Sequence, residues 1–214
     1  LVTSGDAVSV MELVERGTSA SYAMAVSEQD GVLKVRYVED ELLTLPNLPA
    51  KKLVVHLPRE MAESLTEVSF SSVSADFDVD PLTVREKFAF SSVSGDLETD
   101  FITAEGVDAE VSTVSGKISL DGSFRQVNGE STSGEIDLTL RTCPEKVSLV
   151  TVSGKADVEL PRDAGFTLNY DTVSGDLECD FAAKRNGEKL ICGDGGCEIS
   201  VSTTSGDLKI EVID

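Results

Sequence analysis

The chain has 214 residues and a formal net charge of −21, from 39 acidic and 18 basic side chains. This balance excludes nucleic acid and anionic membrane surfaces as main partners, because both repel a strongly acidic protein. No stretch of the sequence approaches the ~20 consecutive apolar residues of a membrane span. The sequence begins at Leu1, so we expect any signal peptide or membrane anchor to precede it.

Residues 1–48 are predicted to form an N-terminal β cap. Strand-like alternation runs from Tyr22 to Val26 and from Gly31 to Val38, around a hairpin turn at Gln29-Asp30-Gly31. An uncapped stack of strands would leave its edge open to aggregation. We therefore expect this segment to close one end of a larger repeat domain.

Residues 49–214 are predicted to form that repeat domain, after a break at Asn47-Leu48-Pro49. Its first strand runs from Lys52 to Leu57 and carries His56, the only histidine in the chain. His56 has no cysteine or serine partner nearby in the sequence. We therefore expect a surface or edge position for it, and no Ser-His-Asp triad.

A six-residue phrase recurs along the repeat domain. It reads Thr-Val-Ser-Gly-Asp-Leu at residues 172–177, and successive copies are 18 to 31 residues apart. We number the copies registers 1 to 7 in chain order. Register 1 has Ala75 at the corner position, and the others have Gly95, Gly116, Gly134, Gly154, Gly175 and Gly206. Repetition with this period predicts stacked structural repeats.

Each register contains two period-2 segments that meet at the corner. Residues two and four after the corner position are mostly apolar, as are those five and seven before it. This pattern predicts an all-β fold, a parallel β-solenoid with ~20-residue coils stacked at about 4.8 Å. An antiparallel sandwich is the alternative, because its strands have a similar spacing. The column-by-column identity of the residues favours the solenoid.

The corner residues are expected to have structural roles. The glycine is expected either to adopt a positive φ or to allow a close approach of adjacent coils. Ala75 is then either strained or in a terminal coil. The Ser or Thr three residues before the corner position, and the Ser one before it, are expected to bond backbone groups. The latter should stack in one column: Ser94, Ser115, Ser133, Ser153 and Ser174.

An insertion, Phe181 to Ile199, separates registers 6 and 7, and a tight turn is predicted at its Gly-Asp-Gly-Gly stretch. Cys192 and Cys197 flank this turn, and we predict a disulfide between them across it. Cys179 lies in an apolar column and is predicted to be buried. The four cysteines lack the spacing of a zinc site, and no histidine is near them.

The outward positions of the strand after the corner are acidic. The residues one, three and five after the corner form three columns, in which 16 of 21 residues are acidic and three are lysine. The first column alternates in sign from Asp96 through Lys117, Glu135 and Lys155 to Asp176, which predicts an ion-pair ladder.

Two interpretations of these columns stay open. One is a solvated face that prevents sheets from sticking together. The other is a face that binds cations or a basic partner, and its oxygen ligands favour Ca²⁺ over transition metals. The candidate calcium site consists of Asp78, Asp80, Glu98 and Asp100, where neighbouring coils are acidic in two columns.

The repeated phrase, the Leu-Pro element before it and the closing Thr-Ser-Gly-Asp-Leu-Lys-Ile resemble the bacterial putative-adhesin family of β-strand-repeat domains of unknown function. The resemblance covers roughly Leu53 to Val212. It implies a right-handed β-helix-like domain of the cell envelope, outside the cytoplasm, at the cell surface or anchored by a membrane segment outside this chain. It supplies no catalytic residues. Analogy at the level of the fold does not by itself establish function.

We therefore expect a non-enzymatic binding or spacer module with an unknown envelope or surface partner, either a basic protein or cations. No catalytic or cofactor-binding residue is predicted, and Ca²⁺ is the one candidate ion. The alternative is a polysaccharide-active β-helix enzyme that uses surface carboxylates as acid and base. No acidic pair stands apart from the columns. The chain has only three tyrosines and no tryptophan that could stack on sugars, so these observations favour the non-enzymatic module.

Overall fold

The computed structural model describes residues 2–3, 7–15, 23–36 and 50–213. Strands dominate these residues, and the one helix among them is α1 (Arg59–Ala62), so the predicted all-β class is confirmed. The chain divides into two compact units, Leu1–Pro58 and Arg59–Asp214; we call the second the repeat unit. The expected break at residues 47–49, and the predicted strand ends at Tyr22 and Val38, lie outside the described residues.

The first unit contains a three-stranded sheet and a hairpin among its described residues. Their strands are β1 (Val2–Thr3), β2 (Ser9–Val14), β3 (Ala25–Gln29), β4 (Val32–Arg36) and β5 (Lys51–Leu57). Strand β5 is central, parallel to β1 and antiparallel to β2. The sequence places this strand in the repeat domain, whereas it pairs with strands of the first unit. His56 therefore lies in a central strand and not at an edge.

The predicted hairpin is confirmed in β3 and β4, which pair antiparallel. Asp30 and Gly31 form its turn with φ values of 54° and 76°, the left-handed region that two-residue hairpin loops require. In the three-stranded sheet, Lys51 and Glu12 form an ion pair at 2.6 Å. The hydrogen bond from Lys51 is the main cause of the lowered pKa of Glu12.

The repeat unit consists of α1 and fifteen strands among its described residues. The strands are β6 (Leu65–Ser72), β7 (Phe77–Val79), β8 (Leu82–Ser92), β9 (Leu97–Thr99), β10 (Ile102–Thr113), β11 (Ile118–Ser131), β12 (Ile136–Leu140), β13 (Lys146–Thr151), β14 (Ala156–Leu160), β15 (Phe166–Thr172), β16 (Leu177–Cys179), β17 (Lys184–Asn186), β18 (Lys189–Cys192), β19 (Cys197–Thr203) and β20 (Leu208–Val212).

Two parallel ladders run through the repeat unit. The pre-corner ladder, made of strand segments that end at the corner, has the order β6-β8-β10-β11-β13-β19-β15. The post-corner ladder, made of segments that follow the corner, has the order β7-β9-β11-β12-β14-β20-β16. Strand β11 is long enough to serve both, because register 3 runs into register 4 without interruption.

The spatial order of the registers differs from their order in the sequence. Strands β19 and β20 belong to register 7, the last in the chain, yet both ladders place them between registers 5 and 6. Register 6 therefore lies at the end of the stack. Because register 7 lies between registers 5 and 6, the spatial order differs from that of a linear solenoid, in which coils follow the order of the sequence.

The large sheet is mixed and not purely parallel. Strand β18 runs antiparallel to β15, and β17 runs antiparallel to β18. Both strands come from the insertion between registers 6 and 7. They extend the sheet beyond β15, where a further parallel coil would otherwise have to continue.

The core consists of the predicted inward columns. Both ladders bury these side chains in the middle registers, and Phe88, Ile118, Val147, Ile199 and Ile210 are each 0% exposed. At the two ends of the stack, Phe77 and Leu177 are only partly buried. Cys179 is also only partly buried, because register 6 is an end register and not an interior one.

The corner glycines are required by close approach. A Cβ at each of them would overlap the carbonyl oxygen of the corner residue in the neighbouring register: Ala75 for Gly95, Gly95 for Gly116, Gly116 for Gly134, Gly134 for Gly154, Gly154 for Gly206 and Gly206 for Gly175. The described residues with positive φ are Asp30, Gly31, Gly187, Gly193 and Gly195, so positive φ is not the reason. Ala75 is tolerated because no register precedes it in the repeat unit.

Hydroxyl groups close the corners as expected. In six registers the hydroxyl three residues before the corner bonds the corner residue, as where Ser92 Oγ accepts from Gly95 N at 2.8 Å. The exception is Thr172 of register 6, whose buried Oγ1 makes no hydrogen bond to Gly175. The serine column forms through amides that donate to the neighbouring corner, as Ser94 N does to Val73 O at 2.9 Å. Ser205 takes the place between Ser153 and Ser174.

Candidate binding surface

The acidic columns lie on the outward side of the post-corner ladder. We call the residues one, three and five after the seven corner positions the acidic face. In β12 and β14 these residues alternate with fully buried ones, since successive side chains of a strand point to opposite sides. Each post-corner strand therefore points its acids away from the core, and parallel pairing aligns them with the outward residues of the neighbouring strand.

Lysines neutralise the middle of the acidic face. Lys117 Nζ lies 2.6 Å from Asp137 and 3.5 Å from Glu135. Lys155 Nζ lies 2.5 Å from Asp157 and 4.0 Å from Glu135. The predicted ladder is thus confirmed in its middle, through Lys117, Glu135 and Lys155, with additional bonds to the second column. Its two ends differ from the prediction, because Asp96 accepts from the backbone amide of Lys117 and Asp207 lies between Lys155 and Asp176. The hydrogen bonds to Asp137 and Asp157 are the main causes of the raised pKa of Lys117 and Lys155 respectively.

Three carboxylates converge in this neutralised region. One oxygen each of Glu135, Asp137 and Asp157 lies within 4.8 Å of the others, the one such acidic group in the described residues. Lys117 and Lys155 already compensate most of the charge there. A cation at this point would have to displace both ammonium groups, so the geometry does not favour it as a metal site. The repeat pattern aligns these residues in columns but does not single them out.

The predicted calcium site lies at one end of the acidic face, in registers 1 and 2. Asp78 in β7 is opposite Glu98 in β9. Asp80 and Asp100 directly follow the paired residues Val79 and Thr99, which end these two strands. The four carboxylates therefore belong to neighbouring registers, as expected. Asp78 and Glu98 are exposed, and Asp80 is partly buried. Calcium binding by this group stays a prediction.

Aspartates directly after the corner also have a structural role that sequence reasoning missed. Asp76 Oδ1 accepts from Asp96 N at 3.0 Å, and Asp96 Oδ1 accepts from Lys117 N at 2.6 Å. At the far end, Asp207 Oδ1 accepts from Asp176 N at 2.9 Å. The recurrence of Asp directly after Gly was the available signal, since short acidic side chains commonly bond nearby amides in turns.

The insertion of register 7 changes the charge pattern of the second column. In the sequence, Glu178 follows Asp157 in that column, but Lys209 lies between them in the structure. Lys209 Nζ also pairs with Glu211 at 2.6 Å. This order separates two acids by a base, so it reduces repulsion that a linear stack would contain.

The structure does not bring Cys192 and Cys197 together. All four cysteines are free. Cys192 and Cys197 are both in register with Phe166, one on β18 and the other on β19, on opposite sides of β15. Two strand spacings, about 9–10 Å, separate their backbones, whereas a disulfide requires Cα atoms closer than about 7 Å. The predicted turn exists, with Gly193 and Gly195 at positive φ. The two cysteines that flank it are too far apart for a disulfide.

Comparisons with known proteins identify the family. No curated protein sequence matches the chain. Among solved structures, the chain is similar to a crystal structure described as a putative cell adhesion protein from Clostridium sporogenes, with 11% identity and a TM-score of 0.42, over 99% of this chain and 86% of that one. Nowhere in the described part of the chain is there a helix with the length and hydropathy to cross a bilayer. The model of the Toastrack DUF4097 family matches residues 14–211, which bears out the resemblance carried by the repeated phrase. The chain belongs to the Toastrack DUF4097 family.

Proposed function

We propose that the chain is a non-enzymatic module of the cell envelope that binds cationic groups of a partner through its acidic face. The observation that supports this most directly is the uneven charge along the face. Lys117 and Lys155 compensate the acids of the middle registers. Registers 1 and 2 carry acids at all their outward positions: Asp76, Asp78, Asp80, Asp96, Glu98 and Asp100.

Electrostatics favours a cationic ligand at registers 1 and 2. Unit charges one strand spacing apart repel by about 1 kcal/mol in bulk water, and several-fold more at the lower effective dielectric of a protein surface. A bound Ca²⁺ ion or a row of lysines offsets that repulsion. The acids recur along the stack instead of converging on one point, and such an array suits an extended partner better than a single small substrate.

Calcium is expected to raise the melting temperature of the protein more than NaCl does at the same ionic strength. A specific site adds binding free energy to the folded state, whereas NaCl only screens the repulsion. Circular dichroism suits the measurement, because the chain has no tryptophan. A lysine-rich peptide, titrated by fluorescence anisotropy, separates a basic partner from a bare cation.

Variants that remove carboxylates test whether calcium and the lysine-rich peptide bind at registers 1 and 2. Asp80→Asn, Glu98→Gln and Asp100→Asn together should abolish the calcium-specific shift and the binding of the peptide. The matched control changes Glu105 and Glu110 to glutamine; both are exposed acids of β10 outside the acidic face, and the shift should persist. Equal shifts from the two salts, with no peptide binding, would leave only a solvated face and end the proposal.

Absence of polysaccharide cleavage is a second expected outcome. The protein, incubated with a panel of anionic and neutral polysaccharides, should release no reducing ends or unsaturated sugars above a heat-denatured control. Clear turnover of any member of the panel would overturn the non-enzymatic assignment, since it would require an acid and a base among the surface carboxylates.

We propose that the registers wind as a right-handed parallel β-helix with register 7 inserted, because parallel strands are almost always connected by right-handed crossovers. An experimental structure with a left-handed path would contradict it. The location outside the cytoplasm, at the surface or behind an anchor, rests on the sequence resemblance. Protease treatment of intact cells tests it, since a cytoplasmic chain would stay protected.

A further inference from the structure

Cys143 and Cys197 meet at one backbone carbonyl in the repeat unit. Cys197 begins β19, and its amide donates to Gly165 O at 2.9 Å. Cys143 lies between β12 and β13, and its thiol donates to the same oxygen at 3.7 Å. The shared acceptor, Gly165 O, therefore places the Cys143 thiol beside the first residue of β19. Two cysteines that are 54 residues apart in the sequence are thus neighbours in the fold.

The backbone around this pair is fixed by the ladder. Glu198 N donates to Glu145 O at 3.0 Å, which ties the start of β19 to the segment that leads into β13. From Lys146 and Glu198 onward the two strands pair in parallel register. Strand pairing therefore holds Cys197 and the segment that follows Cys143 next to each other.

The other two cysteines have different surroundings. The Cys192 thiol donates to Ala164 O at 3.6 Å, on the far side of β15 from Cys197. The Cys179 thiol donates weakly to Phe181 O, two residues further along the chain, at 4.0 Å. Both thiols bond to backbone carbonyls, and Cys179 provides an internal control.

We propose that Cys143 and Cys197 form a reactive dithiol that a low-molecular-weight disulfide, such as glutathione disulfide, converts into an intramolecular disulfide bridge. The Cys143 thiolate attacks one sulfur of glutathione disulfide, and one glutathione thiolate leaves. Cys197 then loses its proton and attacks the Cys143 sulfur of the mixed disulfide, and the second glutathione leaves. Two protein thiols are oxidised, one glutathione disulfide is reduced to two glutathione molecules, and the two protons balance them.

The environments of the two thiols assign their order of reaction. Cys143 is exposed, whereas Cys197 is only 2% exposed, so an external disulfide reaches Cys143 first. The hydrogen bond with Cys197 lowers the pKa of Cys143, against burial and the charges of Asp194 and Asp163. That same bond, followed by burial, raises the pKa of Cys197. Cys143 is therefore the attacking thiol and Cys197 the resolving one.

The bridge would fasten register 7 in its inserted position. Strand β19 lies between β13 and β15, and the bridge ties its first residue to the segment before β13. It closes a loop of 55 residues, from Cys143 to Cys197. A loop of that length predicts a rise in melting temperature of roughly 10 °C on oxidation.

The test begins with the fully reduced protein and glutathione disulfide. After acid quenching, alkylation and digestion, mass spectrometry should detect a peptide that links Cys143 to Cys197. Thiol counting under denaturing, non-reducing conditions should fall from four to two. Cys179→Ser should react as the unmodified protein does, and the oxidised form of both should melt roughly 10 °C higher than the reduced form.

Single-cysteine variants separate the two steps. Cys197→Ala should stop at a mixed disulfide of Cys143 with glutathione, and Cys143→Ser should yield neither product. Because Cys197 is buried, the mixed disulfide in Cys197→Ala is measured on protein shown by circular dichroism to be folded. A Cys192–Cys197 peptide in the oxidised protein would overturn the proposal. So would a mixed disulfide on Cys143 that persists in the unmodified protein as it does in Cys197→Ala.

Discussion

Alanine in place of Gly134 is expected to destabilise the repeat unit by about 3 kcal/mol, the upper part of the range for overpacked interiors. The added Cβ would overlap the carbonyl oxygen of Gly116 and would lie 3.1 Å from Ser131 Oγ. The clashing oxygen belongs to the backbone of a strand-to-strand corner, so it cannot rotate away as a side chain can. Relief requires the two registers to separate, which strains hydrogen bonds on both sides of the corner.

Gly106→Ala is the matched control for this change. Gly106 lies within β10, its φ is not positive, and no atom beyond its two chain neighbours lies within 4 Å of the position that its Cβ would take. The free energy of unfolding should change by no more than about 0.5 kcal/mol, as at most surface positions. Chemical denaturation followed by circular dichroism measures both variants. Similar losses of stability in the two would show that the corners do not approach as closely as described.

Leu208→Ala is expected to cost about 3 kcal/mol, and Leu177→Ala about 1 kcal/mol. The two leucines occupy the same column and are paired directly across β20 and β16. Leu208 belongs to the last register in the sequence, yet it is 1% exposed because register 7 lies inside the stack. Leu177 is only partly buried because register 6 is at the end.

This pair tests the order of the registers directly. In a linear stack, register 7 would be the end repeat with one neighbour, and Leu208 would lose less packing on truncation than Leu177. The inserted order reverses that ranking. The comparison uses the same substitution in the same column, so differences in side-chain chemistry cancel. A larger loss of stability in Leu177→Ala than in Leu208→Ala would favour the linear order.

Contacts of Tyr170 and of β18 explain why the stack can end at register 6. Tyr170 occupies an inward column there, and its hydroxyl donates to Gly206 O at 2.8 Å. That hydroxyl would lie 2.6 Å from a Cβ at residue 175, so it fills the corner space of register 6. The antiparallel pairing of β18 with β15 then occupies the outer edge of the pre-corner ladder. An edge covered in this way is less able to pair with another chain.

The acidic columns show how far sequence reasoning reached for the candidate site. The positions of Lys117, Glu135 and Lys155 in one column were enough to predict their ion pairs, because in-register parallel strands align equivalent residues. The contacts of these lysines with Asp137 and Asp157 depend on which way each long side chain bends. Alignment alone does not contain that choice. The group of three carboxylates is therefore a result of the tertiary structure.

The sequence by itself determined the strands, the corners and the inward and outward columns, because a period of two and a repeated glycine leave few other backbones. Only the tertiary structure decided which register lies beside which. Equivalent columns make the registers nearly interchangeable as hydrogen-bonding neighbours, so the repeat pattern carries no preference between registers 6 and 7. The long interval from Gly175 to Gly206 gives the chain enough length to pass register 6 and return inside it. Side chains then favour that order, since Lys209 separates Asp157 from Glu178 and Leu208 becomes fully buried. The contact between Cys143 and Cys197 follows from the same choice, because it requires register 7 to lie beside register 5.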